Sequence, residues 1–228
     1  MYVRRSFVLM LAVALAACTS ESPTSVMAPV QSSAAKGASG TVSGGTGGGG
    51  GSGTSSGSPH FIDTLPGAPT IANPVITFWA KKGVDQTVSM YYHALPGRHD
   101  STTYYSLRVR AQSLFRRPDG SLIANGDSVQ ITLTLSDLQH LVVDCQPSGL
   151  LFDPSHPATA KFSYAYASRD LDGSGTITPV DTALLHALSV WRRETPTSPW
   201  IIVPSTGLFG AEEVEAAIGG FTGYALAW

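Results

Sequence analysis

Apolar and polar residues alternate along much of the chain beyond residue 73. In residues 104–110, Tyr105, Leu107 and Val109 fall on one face and Ser106, Arg108 and Arg110 on the other. Residues 129–135 repeat the pattern, with Val129, Ile131, Leu133 and Leu135 set against Gln130, Thr132 and Thr134. A period of two marks a strand with one buried face. Residues 84–92 alternate as well, with Val84, Gln86, Val88, Met90 and Tyr92 on one side. Further short β-like runs cover 75–79, 141–143, 158–166, 188–192, 200–203, 214–218 and 224–228. Pro118-Asp119-Gly120 and Asn125-Gly126-Asp127 are turn sequences. Two stretches carry helical features: 182–190, where Leu184, Leu185 and Leu188 share a face, and the Ala- and Glu-rich 208–217. Both read as short turns or helical caps leading into strands. Many short strands punctuated by Gly, Pro and Asp predict an all-β fold, an antiparallel β-sandwich of immunoglobulin-like architecture over residues 73–228.

The N-terminal part has a different texture. Arg4-Arg5 precede an apolar run, 7–17, that ends in small residues. This is the layout of a secretory signal. The run is too short for a spanning helix, which needs about 20 apolar residues. The sequence Leu15-Ala16-Ala17-Cys18 resembles the lipobox of bacterial lipoproteins. That resemblance implies a signal peptide over 1–17 and a mature chain that begins at a lipidated Cys18. Each buried CH₂ contributes ~0.8 kcal/mol, so several acyl chains make a stable anchor where one does not. Thr19 stands where an Asp would signal inner-membrane retention, so the expected location is the bacterial cell envelope, on the outer membrane. Residues 18–72 are the lipidated cysteine and a low-complexity linker of Ser, Thr, Ala, Pro and Gly. Such composition predicts a flexible coil. The Gly run 44–53 is not a phosphate loop, because no strand precedes it and no Lys-Ser/Thr pair opens a helix after it.

Without signal and linker, about 160 residues remain, enough for one domain with its own core. Hydrophobic residues make up 43% of the chain, which supplies that core, while 13% are charged and the net charge is −2. The balance argues against nucleic acid as a partner, which requires a strongly basic surface. With Cys18 lipidated, the other of the two cysteines, Cys145, has no intramolecular disulfide partner. It follows the apolar 141–143, which favours a buried small hydrophobe over a reactive thiol.

Residues 129–228 carry a recurrent order of motifs: Pro147-Ser148-Gly149-Leu150, then Trp191, then Trp200 with Val203-Pro204-Ser205, and finally Phe221 and Tyr224-Ala225-Leu226. The order resembles the β-sandwich domain shared by ankyrins, netrin receptors and tight-junction scaffolds, in its bacterial cell-surface relatives. The resemblance implies a binding or structural module. Some relatives cleave themselves at a His-Phe-Ser triplet. The corresponding residues here are Gly220-Phe221-Thr222, which lack the histidine that would act as general base beside the hydroxyl, so self-cleavage is not expected.

One constellation carries chemistry of its own. Residues 170–181 match a calcium loop, which places oxygen ligands at positions 1, 3, 5, 7, 9 and 12 and Gly at 6. These fall on Asp170, Asp172, Ser174, the Thr176 carbonyl, Thr178 and Asp181, with Gly175 and Ile177 at positions 6 and 8. The loop resembles an EF-hand and the single loop of dockerins. Ser174 in place of Asp and Asp181 in place of Glu lower its expected affinity. An equal reading of the same residues is a solvated hairpin loop without metal. His99-Asp100-Ser101 holds the letters of a catalytic triad, but adjacent residues rarely face one another; the remaining histidines have no ligand spacing. Arg108, Arg110, Arg116, Arg117, Arg192 and Arg193 read as the outer faces of strands. The expectation is a non-enzymatic, lipid-anchored envelope protein. It would display a β-sandwich to an envelope or extracellular protein or glycan, with the loop taking calcium. Its rivals are a dockerin-like, calcium-dependent assembly module, which requires helix after Asp181, and an envelope hydrolase.

Overall fold

The computed structural model describes residues 58–94 and 102–228. The signal peptide, Cys18, most of the linker and His99-Asp100-Ser101 lie outside the described residues. Thirteen strands are described: β1 (Val75–Lys81), β2 (Gln86–Tyr91), β3 (Thr103–Val109), β4 (Leu114–Arg116), β5 (Ser128–Asp137), β6 (Val142–Gln146), β7 (Leu151–Phe152), β8 (Ala158–Ser163), β9 (Ser189–Arg193), β10 (Ile201–Val203), β11 (Ser205–Leu208), β12 (Glu213–Ile218) and β13 (Gly223–Ala227). One helix, α1 (Pro179–Ala187), precedes β9. The strands form a six-stranded sheet in the order β1-β5-β6-β13-β9-β10, a five-stranded sheet in the order β11-β12-β8-β3-β2, and a small β4-β7 ribbon. All strand pairs are antiparallel. The chain is thus the all-β sandwich that the alternating pattern predicts.

The alternation has its physical counterpart in the core between the sheets. Val129, Ile131, Leu133 and Leu135 are buried on β5, while Thr132 turns outward to share a hydroxyl hydrogen bond of 3.0 Å with Thr77 of β1. From the facing sheet, Tyr105, Leu107, Ala160, Phe162, Val214 and Ala216 enter the same core. Tyr105 and Phe162 lie opposite one another in the β3–β8 register and pack edge to face, 4.8 Å between centroids. Such pairs add about 1 kcal/mol beyond their buried area. Cys145 lies in this core, fully buried, with its Sγ 3.9 Å from the Tyr105 hydroxyl.

Strand β13 organises the larger sheet. All five of its residues are buried, and a buried backbone must find partners for every N–H and C=O. On one side β9 pairs along its full length. On the other, β6 reaches only Gly223 and Tyr224. The remaining edge is taken by residues 60–62: His60 and Trp228 exchange two backbone hydrogen bonds of 3.2 Å, and Ile62 N donates to the Leu226 carbonyl at 3.4 Å. Ile62 is fully buried, and Thr64 and Ile71 bridge to Ala167 and Tyr92. The domain therefore begins near residue 60 rather than at 73. The Pro- and Gly-containing stretch after Thr64 hid this, because its pairing is set by an unfilled edge rather than by its own pattern.

Two further local readings change. The helical spacing at 182–190 is a nine-residue helix that starts earlier, at Pro179, and ends before Ser189. Residues 208–217 are mostly strand β12, preceded by a 3-10 turn, Phe209–Ala211. The six arginines do not share a face. Arg108 pairs with Asp85 at 2.7 Å beside the smaller sheet, Arg117 pairs with Asp127 at 3.1 Å, and Arg192 and Arg193 belong to β9 of the larger sheet.

Burial pushes the Cys145 thiol up to about 12, so at pH 8 the reactive thiolate is on the order of one part in ten thousand. A Cys18→Ser chain is expected to resist thiol labelling while folded and to take up one label per chain in denaturant. Fast labelling of the native protein would contradict the buried position.

Candidate metal-binding loop

Strand β8 ends at Ser163, and the chain crosses to α1 through the loop 170–181. Its entry is fixed by Arg169, which pairs with Glu212 at 2.5 Å and lies over the Tyr164 ring, 5.2 Å from its centroid. Its exit is a helix N-terminus. Thr178 is the N-cap: its hydroxyl accepts from Val180 N at 3.2 Å, and Pro179 occupies the first turn, where its missing N–H costs nothing. Asp181, three residues on, closes a capping box by accepting from the Thr178 N–H at 2.7 Å.

Asp181 also ties the two ends of the loop together. Its Oδ1 accepts from Leu171 N at 2.6 Å and Asp172 N at 3.1 Å, while its Oδ2 accepts from the Thr178 N–H and from the Thr178 hydroxyl at 2.9 Å. The residue is 2% exposed. Backbone N–H groups of Thr178 and Asp172 hold its carboxyl down at about 2, because each bond favours the charged form. Asp170 accepts from Gly175 N at 2.7 Å, and Asp172 accepts from Ser174 N at 2.9 Å. Gly173 and Gly175 adopt φ of +70° and +83°; the second is the sharp turn that position 6 of a calcium loop requires.

The three carboxylates come together as the spacing predicts. Asp170, Asp172 and Asp181 each present an oxygen, all within 4.8 Å of one another. Two oxygens bound to one calcium at 2.3–2.6 Å are at most about 5 Å apart, so the three fit a single ion. The other expected ligands are engaged elsewhere. The Ser174 hydroxyl donates to the Thr176 carbonyl at 3.0 Å, and the Thr178 hydroxyl serves the helix cap. Ile177, at position 8, is 71% exposed rather than tucked against a second loop. The double service of Thr178 and Asp181 was legible in the sequence: Thr-Pro-Val-Asp is also a helix-start signature.

The other candidates stay apart. His60 stacks on Trp228, His140 pairs with Asp137 at 2.8 Å, His156 lies 3.7 Å from Asp153, and His186 packs against Phe209. The triplet Gly220-Phe221-Thr222 sits in the turn from β12 to β13. Phe221 packs edge to face on Phe152, and the Thr222 hydroxyl donates to the Gly223 carbonyl at 3.1 Å. A Cβ at position 220 would come within 2.8 Å of the Leu150 carbonyl oxygen, so the backbone excludes histidine from the first position of the triplet. No protein-family model matches the chain, and no curated protein or solved structure is significantly similar to it.

The bonds around Asp181 set an acid limit on the loop. Its folded value, about 2, lies below the ordinary 3.8 of an aspartate, so its contribution is full above pH 3.8 and is lost as pH falls through 2. Asp181→Asn is expected to lower the melting temperature at pH 6, with the gap to wild type closing as pH falls toward 2. A gap that is constant across that range would remove Asp181 from this role.

Proposed function

We propose that the chain is a lipid-anchored protein of the bacterial envelope, held on the outer membrane through Cys18. It displays one non-catalytic β-sandwich that binds an envelope or extracellular protein or glycan. The observation that carries this reading is Leu15-Ala16-Ala17-Cys18 followed by a Gly- and Ser-rich tether that enters the domain at His60, beside the C-terminal Trp228. The motif order over residues 129–228, similar to that of the ankyrin and netrin-receptor sandwich domain, supports a binding module on independent grounds.

Calcium in the loop is the second part of the proposal. Asp170, Asp172 and Asp181 would hold the ion, with the Thr176 carbonyl and the Ser174 hydroxyl turning toward it from the hydrogen bond they share with one another. The positive charge offsets three carboxylates gathered in one place. Because both oxygens of Asp181 already accept two N–H or O–H donors, affinity is modest and the role is to stiffen the loop. A dockerin-like assembly role draws on the helix directly after Asp181 and on exposed Ile177 and Val180 beside it. The same segment continues into β9 of the sandwich, which ties it to the domain's own fold.

Labelled palmitate is expected to be incorporated into the wild-type chain in a bacterial host and not into Cys18→Ala; incorporation that survives the substitution sinks the lipid anchor. A ligand specific to the folded state stabilises by about 2.7 kcal/mol at a hundredfold excess over Kd. Thermal melts of the full chain are therefore expected to shift upward in calcium relative to chelator, and Asp170→Ala to abolish the shift. Identical melts would make the loop a hydrogen-bonded connection without metal.

A further inference from the structure

A small polar cavity of about 260 Å³ opens on the outer face of the larger sheet, away from the loop. Its floor is Gly223, the first residue of β13. In the sheet register Gly223 lies between Asp144 of β6 and Arg193 of β9. A Cβ on Gly223 would stand 2.7 Å from Asp144 Oδ1 and 3.4 Å from the Arg193 Cγ and Nε. The carboxylate and the guanidinium therefore fold inward from both sides over a backbone that offers no side chain. Gln146, Ser148, Thr195, Pro196, Thr222 and the carboxylate-bearing Glu194 complete the lining.

Arg193 and Gln146 are held in place yet have functional atoms to spare. Among the described residues neither Asp144 nor Arg193 takes part in an ion pair, whereas the neighbouring Arg192 and Glu194 pair with one another. The Arg193 guanidinium is stacked on Trp200, 4.8 Å from the ring centroid, and Trp200 packs edge to face on Phe61. The stacking fixes the plane of the fork without consuming its N–H donors. Gln146 Oε1 accepts from Ser148 N at 2.9 Å, which orients the amide and leaves its NH₂ as a donor.

We infer that this cavity is a binding subsite for a neutral saccharide, taking one sugar ring of a longer glycan. A sugar presents adjacent hydroxyls that both donate and accept. Asp144 supplies acceptors, Arg193 and the Gln146 amide supply donors, and the Ser148 hydroxyl does either, while the Thr195 hydroxyl is shared with Thr197 and Ser198. Asp144 and Arg193 cancel, and the third charged lining residue, Glu194, is paired with Arg192 outside the cavity, so the cavity favours a neutral polyol over a polyanion or a polycation. The volume equals roughly nine waters at about 30 Å³ each, on the scale of a single ring. Preorganised polar groups avoid much of the ordering cost that weakens polar recognition. The site also lies at the end of β13 remote from His60. The inference rests on the reading of the domain as a displayed binding module.

The test uses the full-length chain in a detergent without a sugar headgroup, titrated calorimetrically with hexasaccharides of glucose, mannose, galactose and N-acetylglucosamine. Saturable binding of at least one is expected, unaffected by raising the salt concentration. Asp144→Ala and Arg193→Ala are each expected to weaken it tenfold or more. Gly223→Ala, which removes no polar group but displaces the Asp144 carboxylate, is expected to do the same. Asp144→Asn keeps the shape of the site if the alanine variant fails to fold, and is expected to weaken binding less than Asp144→Ala does. Arg108→Ala, beside the other sheet, is expected to leave affinity unchanged. Binding by none of the oligomers, or binding that survives Asp144→Ala combined with Arg193→Ala, overturns the inference. So does binding that collapses with salt. Since the titration needs no lipid, its outcome is separate from that of the Cys18 experiment.

Discussion

The demand that a buried strand satisfy all of its backbone groups governs this molecule. Strand β13 lies inside the larger sheet with every residue covered, and an unpaired N–H or C=O there would cost about 1–3 kcal/mol. Its β6 partner pairs only with Gly223 and Tyr224, so residues 60–62 are recruited to finish the sheet. The first described residues and the last ones of the chain are consequently hydrogen-bonded to each other. The sandwich closes only when the C-terminal strand is in place, which makes the final residues of the chain as essential to the core as the strands at its centre.

That same strand separates the two places where chemistry gathers. Its end at Trp228 lies beside the N-terminal segment, which through Thr64 also bridges to Ala167 in the lead-in to the acidic loop. Its start at Gly223 floors the polar cavity. The cavity and the segment that leads into the loop thus lie toward opposite ends of one strand.

The acidic loop shows how one set of residues can satisfy two descriptions. Its spacing is that of an oxygen-ligand loop, and its last four residues are those of a helix cap. The helix cap is formed, and the three carboxylates gather beside it, because position 9 and position 12 of the one coincide with N-cap and N3 of the other. Asp181 carries the conflict between them: four donors already hold it charged, which keeps the loop folded by itself and limits what a cation can add.

Much of the fold was legible from the chain alone, since period-two burial depends only on which residues avoid water. Residues 104–110 and 129–135 sit in the structure as their patterns predict. The acidic cluster was equally visible, because its members lie within twelve positions of one another. What the sequence could not reveal depended on register. The membership of residues 60–72 follows from an edge left open by a strand far away. The meeting of Asp144, Arg193 and Gly223 follows from pairing β6 and β9 across β13, which joins positions about 30 to 80 apart along the chain and leaves no local trace. Local composition therefore determined the strands, the turns and the loop, while only the tertiary pairing decided where the domain begins and which polar side chains face one another.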